Sequence, residues 1–316
     1  MDFDANKWLE KYQNLVSQIK QGNYEARKLL AEEQVKIFEQ TVEAGKSRKY
    51  ISKNGFNIDI KNSENLIKNS KFYSDEFKVN VVPTINGTTE IVVKNQDSFD
   101  CGKQLSEQGY YPIVLNMANR RNPGGGVTRG SSAQEETLFR RSNLFLSLYQ
   151  FADYANVYGL QKSKCQYPMD RDFGGIYSPN VTVFRTGPLD GYAFLDQPFE
   201  VAVISVAGLN RPETINNRLT EPMIKGTKNK IRTILRIGLI NKHDSIVLGA
   251  LGCGAFRNPP AHIAELFDEV INEPEFKNKY KKICFAILED HNSKKSHNRE
   301  GNFKPFFERF CSRDNQ

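Results

Sequence analysis

Short apolar runs and helix-period segments alternate along most of the chain, and this alternation predicts an α/β fold. The predicted strands are residues 54–60, 88–93, 111–115, 181–185, 201–206, 245–248 and 283–288. The predicted helices are two within residues 6–44, then residues 98–108, 213–239, 261–270 and 303–311. Residues 62–75 are polar and irregular, and residues 153–175 predict a long loop of the kind that often serves as a lid.

The stretch from residue 116 to residue 143 carries the clearest candidate chemistry. It follows an apolar strand and places three consecutive glycines before a helix-period segment, for which Ser131 or Ser132 is the expected N-cap. Strand, glycine turn and helix together let backbone N–H groups approach phosphate oxygens. Two glutamates follow in the first turn of the predicted helix. A flexible loop and two solvent-exposed acids favoured by the helix dipole are the plain alternatives.

A second glycine-rich loop, residues 249–256, also follows a predicted strand directly. Ligands of α/β sheets bind beyond the carboxyl ends of the strands, so the two loops together predict a site for two phosphates. Neither loop continues into the Gly-Lys-Ser/Thr of an NTP-binding loop, and neither has the GxGxxG spacing of redox dinucleotide sites. The expected ligand is therefore a nucleoside diphosphate of another kind.

Composition narrows the class of protein further. The chain has 316 residues, 39% of them apolar, which is ample for a core, and no apolar run is long enough to span a membrane. Its polar N-terminus is unlike a signal peptide. Five scattered cysteines argue against a disulfide framework or a zinc site and favour a reducing, intracellular location. A net charge of +7 weakly favours an anionic partner.

The motif in the first loop resembles a known family. Three glycines, seven residues and Gln-Glu-Glu resemble the signature of poly(ADP-ribose) glycohydrolases, and LNMANRRNPGGG is similar to the microbial-type branch. The resemblance implies a macrodomain-like α/β fold, a three-layer α/β/α sandwich with a mixed central sheet and extra N-terminal helices. Residues 1–75 would form that helical extension and residues 76–316 the catalytic core. It also implies a hydrolase of poly(ADP-ribose) that needs no cofactor and releases ADP-ribose. The expected oligomeric state is a monomer.

The resemblance assigns roles residue by residue. Asn119 would bind a hydroxyl of the distal ribose, and Glu136 would be the acid/base beside a sugar-positioning Glu135. Phe256 would pack against the distal ribose. The remaining predicted binding residues are Gly124, Gly125, Gly126, Val127, Gln134, Gly252, Cys253, Gly254 and Ala255. Asp97 would bind the adenine amino group, with a helix N-cap as the equal alternative. No metal-ligand cluster is expected, and His291 and His297 are predicted to be solvent-exposed.

The two adjacent glutamates favour a mechanism with a single acid. Neighbouring residues on a helix point about 100° apart, whereas standard glycosidases place two carboxyls on opposite sides of the bond. One glutamate can protonate the leaving hydroxyl and then deprotonate the attacking water on the same face. Two other functions stay open at this point. One is removal of mono-ADP-ribose from protein or nucleic acid, and the other is binding of ADP-ribose without catalysis.

Overall fold

The computed structural model describes residues 3–79, 84–163, 167–289 and 294–311. The chain divides into two compact units. The first comprises Met1–Ser70, Arg121–Tyr167 and Ser178–Glu200, and the second comprises Lys71–Arg120, Pro168–Tyr177 and Val201–Gln316. The N-terminal residues therefore group with the segment that carries the three glycines and both glutamates. An extension ending near residue 75 stays a prediction.

Helices and strands alternate through most of the described residues. The helices are α1 (Ala5–Lys20), α2 (Tyr24–Ser47), α3 (Ser63–Asn69), α4 (Ser98–Glu107), α5 (Gln134–Arg141), α6 (Leu144–Leu148), α7 (Glu221–Ile240), α8 (Pro260–Ile271) and α9 (Phe303–Cys311). The strands are β1 (Lys49–Ile51), β2 (Asn57–Asp59), β3 (Lys71–Tyr73), β4 (Glu90–Lys94), β5 (Pro112–Met117), β6 (Gly175–Arg185), β7 (Phe194–Val206), β8 (Thr214–Ile215), β9 (Arg218–Leu219), β10 (Ser245–Leu248) and β11 (Lys282–Ala286). None of the helices in these described residues is long and apolar enough to cross a bilayer.

A seven-stranded mixed sheet has the order β3-β6-β7-β5-β10-β11-β4. From β7 to β4 each neighbouring pair is parallel, whereas β3 pairs antiparallel with β6. The carboxyl ends of the five parallel strands therefore share one edge of the sheet. The predicted mixed central sheet is confirmed.

Helices cover both faces of this sheet in the second unit. Successive residues of β5 point to opposite faces. A Cβ added to Gly102 of α4 would stand 2.7 Å from Val114 Cγ2, and one added to Gly238 of α7 would stand 3.4 Å from Ile113 Cγ2. Helices α4 and α7 therefore flank the sheet on opposite sides, and α8 packs beside α7. Small residues on both helices allow this close approach.

Helices α1 and α2 pack together in the first unit, as the sequence predicts. Trp8 and Ile37 form a small apolar cluster with Tyr192. On α2, the ring of Phe38 lies 6.3 Å from that of Phe139 on α5 and 6.5 Å from that of Tyr149. Helix α2 thus supplies apolar packing for the helix that begins with the two glutamates.

Two predicted segments differ from the structure. The stretch 62–75, expected to be irregular, contains α3 and β3, which are too short to show a period in sequence. The helix predicted for residues 213–239 begins only at Glu221, after the hairpin of β8 and β9. Pro222 explains that start, because proline is tolerated in the first turn of a helix but not in its interior.

The helix-period segment predicted after the three glycines has apolar positions from Leu138 to Tyr149, and the structure interrupts it. Its backbone turns extended at Ser142, between α5 and α6. Asn143 then pairs with Thr182: its N–H donates to the Thr182 carbonyl at 3.2 Å, and its Oδ1 accepts from the Thr182 N–H at 2.8 Å. This buried pairing with a distant strand overrides the local helical period.

Candidate active site

The three consecutive glycines form a tight turn with left-handed backbone. Gly124 and Gly125 have φ of +77° and +57°, which side chains other than glycine rarely adopt. The Gly125 N–H donates to the Asn122 carbonyl at 2.9 Å, and the Val127 N–H donates to the Gly124 carbonyl at 3.0 Å. A short 3-10 helix, Val127–Arg129, follows the turn.

Both glutamates at the start of α5 bind this turn. Glu135 Oε1 accepts from the Gly124 N–H at 3.0 Å, and Glu136 Oε1 accepts from the Gly126 N–H at 2.8 Å. Glu136 Oε2 also accepts from the Ala133 N–H at 3.0 Å. The two side chains are only 4% and 7% exposed. The prediction that they lie in the first helical turn is confirmed, and the alternative of solvent-exposed acids is wrong.

The N–H groups of the turn are therefore engaged within the protein. Those of Gly124 and Gly126 meet carboxylates, and that of Gly125 meets a carbonyl. A role for these glycines in binding the diphosphate stays a prediction. In the structure, the turn holds two buried carboxylates by charge-assisted hydrogen bonds.

The N-cap of α5 is Ala133 rather than Ser131 or Ser132. Alanine has no side chain that can cap a helix. The Glu136 carboxylate instead reaches back to the Ala133 N–H, which is one half of a capping box. Glu136 thus closes the N-terminus of its own helix, where the helix dipole favours a negative charge.

The two carboxylates approach the same point of the turn. A Cβ placed on Gly125 would lie 3.1 Å from Glu135 Oε2 and would overlap Glu136 Oε1. Both acids therefore approach the turn together instead of facing each other across a gap. This arrangement agrees with chemistry that uses one acid on one face of a bond.

Arg140 ties the far end of α5 to its surroundings. Its buried guanidinium donates to the Gln34 carbonyl of α2 at 3.0 Å and to the Ser131 carbonyl at 2.6 Å. Its own carbonyl accepts from the Thr41 hydroxyl at 2.7 Å. The backbone of α2 at Ala31 also leaves no room for a Cβ on Gly130. Helix α2 therefore contacts the chain on both sides of the two glutamates.

A cavity of about 310 Å³ opens beside the glycine turn. Gly125 lies on its floor, and Tyr149, Tyr154 and Tyr158 form one wall. The Tyr149 and Tyr158 ring centroids are 4.4 Å apart, and those of Tyr149 and Tyr154 are 5.3 Å apart. The sequence indicated only that residues 153–175 form a functional loop; nothing in their spacing identified these three rings.

Burial keeps the hydroxyls of this wall protonated. It raises the pKa of Tyr154 above its ordinary value, and the neighbouring Tyr158 and the Glu135 charge act in the same direction. The pKa of Tyr149 is raised in the same way, chiefly by burial and with a contribution from Glu135. The carboxylate of Glu135 thus lies near enough to the tyrosine wall for its charge to act there.

The second glycine loop is held by a residue that the sequence analysis missed. Asn258 Nδ2 donates to the carbonyls of Leu209 at 2.7 Å and Gly252 at 3.0 Å. Gly252 has φ of +74°, and any Cβ there would collide with the Asn258 side chain. The signal available in sequence was only an asparagine just before the two prolines that open α8.

Within this loop, Cys253 and Phe256 differ in accessibility. The Cys253 thiol is fully buried, which raises its pKa, so only the backbone of this residue can face a ligand. Phe256 is half-buried. His297 Nε2 lies 2.8 Å from the Cys253 carbonyl and is half-buried, so its predicted full exposure is wrong. His291 lies outside the described residues.

The remaining predicted binding residues lie at the carboxyl ends of parallel strands in the second unit. Asn119 follows β5, the loop with Gly254 and Ala255 follows β10, and Asp97 follows β4. Asp97 Oδ1 caps α4 by accepting from the N–H groups of residues 99 and 100 at 2.8 and 3.2 Å. The N-cap alternative is therefore confirmed, and an adenine contact stays a prediction.

The structure thus gathers the candidate residues into two groups. One, in the first unit, consists of the glycine turn, Val127 and the residues Gln134, Glu135 and Glu136. The other, in the second unit, consists of Asn119, Asp97 and residues 252–256. In the part of the chain that the structure describes, no three His, Cys, Asp or Glu side chains come together as metal ligands.

A buried acid pair on a glycine turn, in an α/β protein whose ligand-facing loops follow parallel strands, defines a hydrolase-type site. Comparison with known proteins makes the family explicit. Residues 38–186 match the family model described as the catalytic domain of microbial-type PARG. This segment includes both glutamates. The resemblance predicted from the sequence is confirmed.

Solved structures of bacterial poly(ADP-ribose) glycohydrolases are similar to this chain along most of its length. The enzyme from Thermomonospora curvata is 25% identical, covers 88% of this chain and 100% of its own, and gives a TM-score of 0.71. A second structure of that enzyme, bound to the inhibitor ADP-HPD, is 24% identical over the same shares with a TM-score of 0.70. The enzyme from Deinococcus radiodurans in complex with ADP-ribose is 24% identical, covers 81% of this chain and 99% of its own, and gives a TM-score of 0.60. No curated protein matches the chain.

Proposed function

We propose that this protein is a poly(ADP-ribose) glycohydrolase, which hydrolyses ribose–ribose O-glycosidic bonds and releases ADP-ribose. The observation that carries the proposal is the buried pair Glu135 and Glu136, held against the glycine turn inside the segment that matches the family. Binding of ADP-ribose without catalysis would not require two acids to be buried and fixed in this way. The monomeric state and the intracellular location stay predictions.

Glu136 acts as the acid and then as the base. Its carboxyl proton passes to the oxygen of the leaving ribose as the bond from the anomeric carbon to that oxygen breaks. The sugar becomes oxocarbenium-like, a water attacks the anomeric carbon, and Glu136 takes the proton from that water. The proton balance closes with one glutamate, and Glu136 returns to its starting state.

The hydrogen bonds of Glu136 leave room for this proton. A carboxylate offers about four lone-pair sites. Two of them accept from the Gly126 and Ala133 N–H groups, so each oxygen keeps one site for the transferred proton. These two bonds also fix the direction of the carboxylate, which proton transfer in a defined geometry requires.

Glu135 positions the sugar. Its Oε1 accepts from the Gly124 N–H, which fixes this carboxylate beside Glu136, where a bound ribose would meet it. The second glycine loop, residues 252–256, together with Asn119, provides backbone and side-chain donors for the diphosphate and the distal ribose. No cofactor is required.

The test is to identify the products. The purified protein is incubated with poly(ADP-ribose) and, separately, with mono-ADP-ribosylated protein and DNA, and released nucleotides are separated by chromatography. We expect ADP-ribose from the polymer. Release from the mono-ADP-ribosylated substrates alone would contradict the proposal and favour the second hydrolase function.

A binding measurement separates a hydrolase from a binding protein. ADP-ribose should stabilise the fold by about 2.7 kcal/mol at a hundredfold excess over its dissociation constant, which a thermal shift detects. Tight binding without any hydrolysis of the polymer would favour the non-catalytic function. Absence of binding at millimolar ADP-ribose would contradict every ADP-ribose-based function.

A further inference from the structure

The cavity beside the glycine turn is lined by three tyrosines and Arg129, which have no role in the proposed reaction. We call it the tyrosine pocket, defined by the wall of Tyr149, Tyr154 and Tyr158 and by Arg129 and Gly125. We propose that the tyrosine pocket binds the adenosine phosphate on the leaving side of the bond that is cleaved. This inference rests on the proposed function and adds a second nucleotide subsite to it.

Position is the first argument. Gly125 lines the pocket, and the same residue lies against both carboxylates. Gly125 is therefore common to the pocket and to the surroundings of Glu136. In poly(ADP-ribose) the leaving hydroxyl belongs to the ribose of an adenosine, so the purine is attached to the ring carbon next to the one that bears this hydroxyl. A pocket adjacent to the acid thus meets the adenosine of the leaving unit.

The pocket has the dimensions and the lining of a nucleoside site. Its volume of about 310 Å³ falls at the small end of ligand sites. The ring centroids of Tyr154 and Tyr158 are 6.2 Å apart, and the inner ring of Tyr149 supports both. Aromatic side chains of this kind bind bases by stacking, whatever the sequence of the nucleic acid.

The Tyr154 ring is partly exposed and also contacts the chain just before the glycine turn. The Tyr154 hydroxyl lies 3.5 Å from the Pro123 carbonyl, which links the wall to the residue just before the glycines. Its side chain is 38% exposed, and the neighbouring Val157 is 72% exposed. A base can reach these faces from solvent, and the rest of a polymer can leave by the same opening.

Arg129 supplies the charge for a phosphate. Its Nη2 lies 3.6 Å from the point where a Cβ on Gly126 would stand, so the guanidinium is close to the turn. It forms no ion pair with any residue that the structure describes. The planar guanidinium matches phosphate oxygens in pairs. The tyrosine wall therefore fits the base of an adenosine phosphate, and Arg129 fits its phosphate.

The experiment compares hydrolysis of the polymer with binding of the product. Steady-state hydrolysis of poly(ADP-ribose) and calorimetric affinity for ADP-ribose are measured for the wild type, Tyr154→Ala, Tyr154→Phe and Arg129→Ala. Stacking on a tyrosine contributes enough that its removal should lower kcat/KM for the polymer about 5- to 100-fold. Tyr154→Phe keeps the ring and should stay near wild type. ADP-ribose affinity should not change in any variant.

Matched controls come from the same unit. Tyr24→Ala removes an exposed tyrosine on α2, and Lys28→Ala removes an exposed cation on the same helix. Both variants should hydrolyse the polymer as the wild type does. Thermal unfolding of each variant verifies that the surface changes leave the fold intact.

Each other outcome overturns the proposal in a recognisable way. A parallel loss of ADP-ribose affinity in Tyr154→Ala and Arg129→Ala would assign the pocket to the product side of the bond. Unchanged kcat/KM in both variants would leave the pocket without a role in the reaction. A wild type that does not hydrolyse the polymer would overturn the proposed function itself, and with it this subsite.

Discussion

Glu136 is held by two backbone N–H groups, one on each carboxylate oxygen. An amide can replace an acceptor with only one of its two terminal atoms. Glutamine therefore cannot replace Glu136 without losing a hydrogen bond.

Glu136→Gln should lower hydrolysis of poly(ADP-ribose) at least ~10²-fold, because the amide cannot transfer a proton. It should also lower the free energy of unfolding by about 1–3 kcal/mol, since one backbone N–H would face the amide NH₂. Glu135→Gln should lose activity through weaker sugar binding. Turnover, ADP-ribose affinity and thermal unfolding are measured on the same preparations. Full activity in Glu136→Gln would remove this residue from the mechanism.

Gly125→Ala should displace the catalytic carboxylate. The added Cβ would overlap Glu136 Oε1, and φ of +57° is already strained for alanine. We expect a fall in turnover comparable to that of Glu136→Gln. Gly22→Ala is the matched control: its φ is +89°, but nothing lies within 4 Å of the new Cβ. Equal activity in the two alanine variants would show that the turn does not position the acid.

The sequence identified the two acids and the turn because their order along the chain is distinctive. It did not show that the turn's N–H groups bind the acids, since that depends on the backbone angles of Gly124 and Gly125 and on where α5 begins. The tyrosine wall was missed for a related reason. Tyr149, Tyr154 and Tyr158 come together through short 3-10 turns, and no helical or strand spacing indicates that contact.

At the scale of elements, the apolar period predicted most helices and strands near their true positions. Strand β10 and helix α9 have the predicted bounds. The period failed where a side chain binds a distant backbone, as Asn143 does at the break between α5 and α6. It also failed for short elements such as α3, whose length gives too few apolar positions. Tertiary contacts determine the structure of such segments, and a local sequence pattern does not contain those contacts.

Arg140→Lys should destabilise the protein and lower its activity. Lysine cannot reach the carbonyls of Gln34 and Ser131 with one planar group, so at least one buried acceptor loses its partner. We expect the free energy of unfolding to fall by about 1–3 kcal/mol. Arg48→Lys is the control, because Arg48 is exposed and its ion pair with Glu64 lies at the surface. Equal denaturation midpoints for the two variants would contradict the role of Arg140.

At the scale of the whole molecule, acid should weaken the fold through His243. Its Nδ1 lies 3.2 Å from the Tyr111 carbonyl and its Nε2 lies 3.1 Å from the Tyr177 hydroxyl. A neutral ring satisfies both, donating through Nδ1 and accepting through Nε2. Burial lowers the pKa of His243 from 6.5 to about 4. The folded state therefore binds its proton less readily than the unfolded chain does.

The stability that this histidine contributes is complete above pH 6.5 and is lost as the pH falls through the range down to about 4. Between pH 7 and pH 5 the loss should be about 2 kcal/mol. His243→Gln, which cannot be protonated there, should show a flatter dependence of unfolding free energy on pH. Identical pH profiles for variant and wild type would rule out His243 as the source.

The contact between Arg140 and α2 also bears on where the enzyme can be cut. The family match begins at residue 38, in the middle of α2, whereas Gln34 and Ala31 lie before that boundary. A chain shortened to the matched boundary would keep every catalytic residue and still lose the support beneath the acid pair. The smallest active enzyme is therefore expected to be longer than the segment that matches the family. Shortened chains should begin before Tyr24, the first residue of α2.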